Sequence, residues 1–247
     1  MNDIFSGHRA VVHHRYAVLT PSLVTPCFAS GWEKATCHHV LSPAMGSRFV
    51  QLLVNLQADG QCSGNTGADQ YFVSVLDGTA SVLLDDRRHR LEGGSYFYVP
   101  AGKDMLINSS GTGTRLLVTQ RRYRALAGVP KPPAFVSHER ELKPLPLSTA
   151  EGVQTRPMLP DQLSLDLAVN LVSFEPGAVL PGICLKPVEL ARFMLRGRGL
   201  CRADGDWHGL QAGDVVWMAP YCPHEFFALG RQGAAYLCFE DVNRDPA

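Results

Sequence analysis

The chain has 247 residues, 45% of them hydrophobic and 19% charged. That is too apolar for a disordered protein and enough for one large core or two small ones. Lys plus Arg and Asp plus Glu both number 23, giving zero formal net charge, which argues against nucleic acid as a partner. No uninterrupted apolar stretch of about 18 residues is present, which excludes an ordinary membrane helix. Seven scattered cysteines form no C-x-x-C pair, and the start lacks the basic-then-apolar profile of a secretory signal. Both features point to reduced thiols in a cytoplasmic protein.

Along the chain, apolar residues recur in short blocks with a period near two. Val11, Val12, Ala17, Val18 and Leu19 begin the series. Tyr71–Leu76, Ala80–Leu84, Tyr96–Val99 and Arg115–Val118 follow, and later Val215–Met218 and Ala234–Phe239. The blocks are rich in β-branched and aromatic residues and bounded by Gly, Pro, Asp or Asn, which predicts strands. Asp85-Asp86 and Asp204-Gly205 predict hairpin turns. Long stretches with a 3.6-residue period are missing, so the fold class is all-β, built from barrels or sandwiches.

The chain also repeats itself. A shift of 197 − 78 = 119 carries Gly78 to Gly197, Asp85 to Asp204, His89 to His208, Leu91 to Leu210 and Gly94 to Gly213. Without a gap it carries Leu116-Leu117-Val118 onto Ala235-Tyr236-Leu237. The repeat predicts two homologous β-domains, residues 45–122 and 163–247. Residues 1–44 add strands to the barrels. Residues 123–162, which hold seven prolines, read as an extended linker.

In the second repeat, Gly177-x6-Cys184-x-Lys186-x3-Leu190-x6-Gly197 is followed by Gly213-x5-Ala219-Pro220-Tyr221-x2-His224. This spacing resembles the two-part motif of the cupin β-barrel, G-x5-H-x-H-x3-4-E-x6-G then G-x5-P-x-G-x2-H. In that motif, residues two apart on a strand point into the barrel together and hold a divalent metal.

A narrower resemblance spans the whole chain. It is carried by Arg9-Ala10-x-Val12, Leu19-Thr20-Pro21, Met45-Gly46-x2-Phe49, Gly93-Gly94-x-Tyr96, Arg121-Arg122-Tyr123, Phe174-x-Pro176-Gly177, Gly197-x-Gly199 and Asp241-x-Asn243-Arg244-Asp245. In these the chain resembles the (S)-ureidoglycine aminohydrolases, a bicupin family. The resemblance implies two cupin barrels related by duplication, hydrolysis of ureidoglycine to ureidoglycolate and ammonia in allantoin breakdown, a Mn²⁺ or other divalent metal, and a homo-oligomer. The partner it implies is a small-molecule substrate, a ureido acid-like anion, with no nucleic acid and no membrane.

The metal positions depart from the family. Where the family has Glu, His, His and Gln, this chain has Cys184, Lys186, Leu190 and His224. Only His224 and Cys184 can ligate, and a thiolate suits Mn²⁺ poorly. Of the family's substrate contacts, a Tyr is Cys201 here, a Lys on the last strand is Glu240, and a Tyr is kept as Tyr236. The first barrel has Asn65, Gly67, Tyr71 and Met105 at the equivalent positions, which implies a structural role. The candidate catalytic residues are therefore His224, Lys186, Tyr236 and Glu240.

Three functions stay open: the family's hydrolysis, a metal-free small-molecule binder or regulator with Lys186 and Arg192 as anion anchors, and a different cupin enzyme using Cys184, His224 and Lys186. Glu189 could ligate only through a one-residue shift, which flips faces. His89 and His208 read as structural. His13-His14 and Cys37-His38-His39 read as neighbours on opposite faces of a strand.

Overall fold

The computed structural model describes residues 10–147 and 150–244. Arg9 and Asp245 of the sequence motifs lie outside these. In chain order the strands are β1 (Ala10–Val12), β2 (Tyr16–Leu19), β3 (Trp32–Leu41), β4 (Val50–Asn65), β5 (Asp69–Leu84), β6 (Arg87–Glu92), β7 (Ser95–Val99), β8 (Asp104–Arg122), β9 (Phe135–His138) and β10 (Leu145–Pro146). There follow β11 (Val153–Pro157), β12 (Leu167–Phe174), β13 (Val179–Cys184), β14 (Leu190–Arg196), β15 (Arg198–Ala203), β16 (Asp206–Gln211), β17 (Val215–Met218), β18 (His224–Leu229) and β19 (Ala234–Asp241). The only helices among the described residues are three short 3-10 turns. None is long and apolar enough to cross a membrane.

The chain divides into two compact units. One takes residues 24–43 and 48–141. Its sheet runs β3-β4-β8-β5-β7-β9, with β6 on β5. Its interior is packed by Val54, Val73, Val82, Phe97, Ile107 and Val118, among others.

The other unit takes the described residues up to 23, residues 44–47, and those from 142 on. It has an eight-stranded sheet, β1-β2-β17-β14-β19-β12-β11-β10, and a four-stranded sheet, β13-β18-β15-β16. The N-terminal segment is thus shared: β2 extends the second unit by pairing with β17, and β3 pairs with β4 in the first. The proline-rich stretch contributes strands too, β9 on β7 and β11 on β12.

The duplication is visible in the registers. Tyr71 faces Val99 across β5 and β7, and Leu190 faces Met218 across β14 and β17, both related by 119. Gly78 and Gly197 share one constraint. A Cβ there would come within 2.2 Å of the Gly113 carbonyl oxygen and 2.1 Å of the Gly233 one, at φ of +83° and +76°. Only glycine fits both the space and the left-handed backbone.

The last strand corrects the ungapped repeat. Val75 pairs with Leu116, but Met194, its equivalent, pairs with Tyr236, so the offset there is 236 − 116 = 120. Upstream, Thr79 pairs with Ser110 and Arg198 with Leu229, still at 119. One extra residue therefore sits in the 230–233 turn. A slip of one exchanges the two faces of a strand. It is Tyr236, not Ala235, that corresponds to Leu116.

Candidate functional site

The second unit's interior is set by alternation. On β14, Leu190 and Met194 belong to the buried cluster, and on β19 so do Ala234, Tyr236 and Cys238. Residues two apart share a face. Arg192 on β14 and Glu240 on β19 therefore point into the same interior. Arg192 lies opposite Cys238 and Leu190 opposite Glu240. From the other sheet come Cys201, Ala203 and Phe226, with Cys222 from the turn before β18.

Four of the predicted positions gather here. Lys186, in the loop between β13 and β14, places Nζ 2.6 Å from both carboxylate oxygens of Glu240. Their side chains are 37% and 17% exposed. Burial works against Glu240's charge, but the Lys186 ammonium outweighs it and holds the carboxyl below the usual range. Burial likewise works against the ammonium, and Glu240 more than offsets it, so Lys186 is held above its ordinary value. The Cys238 thiol donates to the same carboxylate at 3.3 Å.

His224 is buried at the start of β18, with Nδ1 3.0 Å from the Cys222 carbonyl. That oxygen can only accept, so Nδ1 carries the hydrogen and Nε2 keeps its lone pair. Burial, and then the Arg192 charge, push the imidazole down to about 4. His224 is neutral at pH 7.

Arg192 is 3% exposed. Its guanidinium carbon lies 5.0 Å from the centroid of the Tyr236 ring. It is hydrogen-bonded to the Cys201 thiol. Its Nε and Nη1 are buried and have no hydrogen-bond partner. The thiols around it are protonated: burial raises Cys201 to about 11 and Cys238 to about 12, and raises Cys222. Burial raises the Tyr236 hydroxyl as well.

The donor set does not fit a hard divalent metal. Cys184 and His224 face each other across β13 and β18. Leu190 offers no ligand, and Lys186 and Glu240 occupy each other. Among the described residues no group of three or more His, Cys, Asp or Glu side chains could hold an ion. Mn²⁺ asks for more oxygen and nitrogen ligands than these.

The remaining sequence candidates fall elsewhere. Glu189 faces the other way, where Oε1 accepts from Ser47 at 2.7 Å and from Trp217 Nε1 at 2.5 Å. The His208 ring lies 5.1 Å from the Tyr16 ring, tilted by 54°. The His38 ring lies 2.7 Å from the Val24 carbonyl. His13 and His14 sit between β1 and β2, not within a strand, so their rings adjoin at 4.2 Å where opposite faces were expected. In the first unit Asn65 bonds Asp104 and the Gly67 amide. All seven cysteines are free thiols. Sequence reasoning missed Cys238 and Cys222. The signal was available, because alternation from Tyr236 puts Cys238 inward.

The cupin motif's second glycine is Tyr221 here. It keeps the left-handed backbone, φ +59°, that glycine would supply. Its N–H donates to the Lys186 carbonyl at 2.7 Å, tying the His224 turn to the Lys186 loop.

Comparison with known proteins fits this architecture. A family model described as an AraC-like ligand binding domain matches residues 192–240. Ylba from E. coli superposes with a TM-score of 0.88 at 24% identity, covering 99% of this chain and 98% of that one. A putative glyoxylate-induced protein from Pseudomonas aeruginosa gives 0.89 at 26%, covering 96% and 92%. Among curated proteins, the (S)-ureidoglycine aminohydrolase of Arabidopsis thaliana is 28% identical over 100% of this chain and 82% of its own length. The Escherichia coli enzyme of that name is 27% identical over 98% and 94%. The chain is a bicupin related to the (S)-ureidoglycine aminohydrolases. The bicupin's second barrel differs from the motif where the motif puts metal. A salt bridge and a buried arginine stand there instead.

Proposed function

We propose that this bicupin is a hydrolase of the ureidoglycine aminohydrolase type, cleaving the C–N bond of a small ureido acid in its second barrel. The observation that carries this is the match to curated aminohydrolases along essentially the whole chain. We further propose a cytoplasmic homo-oligomer, on the same resemblance.

The roles are assigned to the chain's own groups. The ureido nitrogen gives its proton to the Glu240 carboxylate as its electron pair forms a C=N bond and the protonated amine leaves as ammonia. Water then adds to that carbon while Glu240 returns the proton to nitrogen. The surplus proton from the water leaves with ammonia as ammonium. Lys186 keeps Glu240 ionised but a weaker base, and one carboxylate oxygen must let go of the Lys186 ammonium to take the proton. His224, neutral at pH 7, offers a second acceptor, and Tyr236 packs the floor against Arg192.

Ammonia release from (S)-ureidoglycine by the purified protein tests this reading, with Glu240→Gln expected to lower turnover at least 100-fold. A second reading, a metal-free small-molecule binder, is favoured by the mutual engagement of Lys186 and Glu240. It predicts saturable binding of ureido acids without ammonia release.

A further inference from the structure

The charge inside the second barrel does not balance. Among the described residues facing this interior, the cations are Arg192 and Lys186 and the carboxylate is Glu240. His224 is neutral, and the thiols and the Tyr236 hydroxyl are protonated. Two positive charges against one negative leave a surplus of one. Glu240 is taken by Lys186 at 2.6 Å through both oxygens, so the surplus resides on Arg192. A guanidinium 3% exposed, with two donor nitrogens unpartnered, is costly to a folded protein unless something accepts from it. The two unpartnered nitrogens donate from different edges of the guanidinium plane, so either edge offers an acceptor such as a carboxylate oxygen a charge-assisted hydrogen bond. The Tyr236 ring centroid, 5.0 Å from the guanidinium carbon, covers one side of it.

We propose that Arg192 is the anchor of a metal-independent binding site for one small monocarboxylate inside the second barrel. Leu190, Cys201 and Cys238, short or apolar, flank the anchor and restrict the occupant to a compact anion. Only the ureido part of the ligand rests on the proposed function. The monoanion claim stands on the barrel's charge.

The test is calorimetric titration of the full chain with N-carbamoylglycine and with its neutral amide. Wild type is expected to bind the acid and not the amide. Arg192→Met should weaken the acid roughly 100-fold while its Tm rises by roughly 3–6 °C, because an unpaired buried charge has gone. Arg192→Lys keeps the charge and loses the planar guanidinium, and should bind at an intermediate level. The proposal is overturned if acid and amide bind alike, if wild type binds neither, or if Arg192→Met binds as wild type does. Ammonia release from (S)-ureidoglycine separates it from the function above. Arg192-dependent binding without ammonia release removes the hydrolase and keeps the anchor, whereas release with an unchanged KM in Arg192→Met removes the anchor and keeps the hydrolase.

Discussion

Replacing Lys186 by Met removes one charge and little volume, so it isolates what the Lys186–Glu240 pair contributes. With Nζ 2.6 Å from both carboxylate oxygens, the gross Coulomb attraction at an effective dielectric of about 20 is about 6 kcal/mol. Most of that does not survive as net stability. Lys186 is 37% exposed, so water screens it and it gives up side-chain freedom on pairing. Breaking a fully buried pair costs about 3–5 kcal/mol. Discounted for exposure, Lys186→Met should cost about 1.5–2.5 kcal/mol, read from the urea midpoint of the second barrel at constant m. Most of the loss reflects Glu240 left in a largely buried place with only the Cys238 thiol donating. The double variant Lys186→Met/Glu240→Gln should then recover to within about 0.5 kcal/mol of wild type. A single variant as stable as wild type, or a double variant no better than the single, would refute the reasoning.

His224 gives a pH signature. Its folded value of about 4 lies below the ordinary 6.5, so the unfolded chain binds the extra proton between those pH values. Stability should fall by on the order of 3 kcal/mol as pH drops from 6.5 towards 4. Glu240, depressed in the fold, adds its own loss only as pH falls below its ordinary 4.5. In His224→Asn the slope between pH 4 and 6.5 should flatten, and an unchanged slope would place the titration elsewhere. Tyr221→Gly relieves a left-handed tyrosine at φ +59° and should raise stability by about 0.5–1 kcal/mol in denaturant melts, whereas a loss would mean the ring supports the turn. Restoring the family's set with Cys184→Glu, Lys186→His, Leu190→His and His224→Gln should create stoichiometric manganese uptake, followed by electron paramagnetic resonance. A variant that takes up none would mean these positions do not converge.

Much of the fold was legible because strand alternation, Asp and Gly turns and the 119-residue offset all act locally. Asp85, Asp86, Asp204 and Gly205 do adopt positive φ, as their turn chemistry requires. The extra residue in the 230–233 turn was not legible. Leu116-Leu117-Val118 matches Ala235-Tyr236-Leu237 in polarity about as well as the true partner does, and an apolar match cannot choose between the faces of a strand buried on both. At the site, the spacing from Leu190 to Arg192 placed the arginine on the inward face. What spacing could not supply was the partner of Lys186. That lysine leaves the strand and meets a carboxylate 54 residues later, so the charge expected to face a ligand faces Glu240. The guanidinium behind it, with Nε and Nη1 unpartnered, becomes visible only once Glu240 has been assigned to Lys186.

The most direct test is ammonia release from (S)-ureidoglycine by protein purified without chelators, measured before and after exhaustive treatment with EDTA. A metal-independent site predicts the same rate in both samples. No ammonia from either sample, or ammonia that vanishes with the chelator and returns with Mn²⁺, would contradict it.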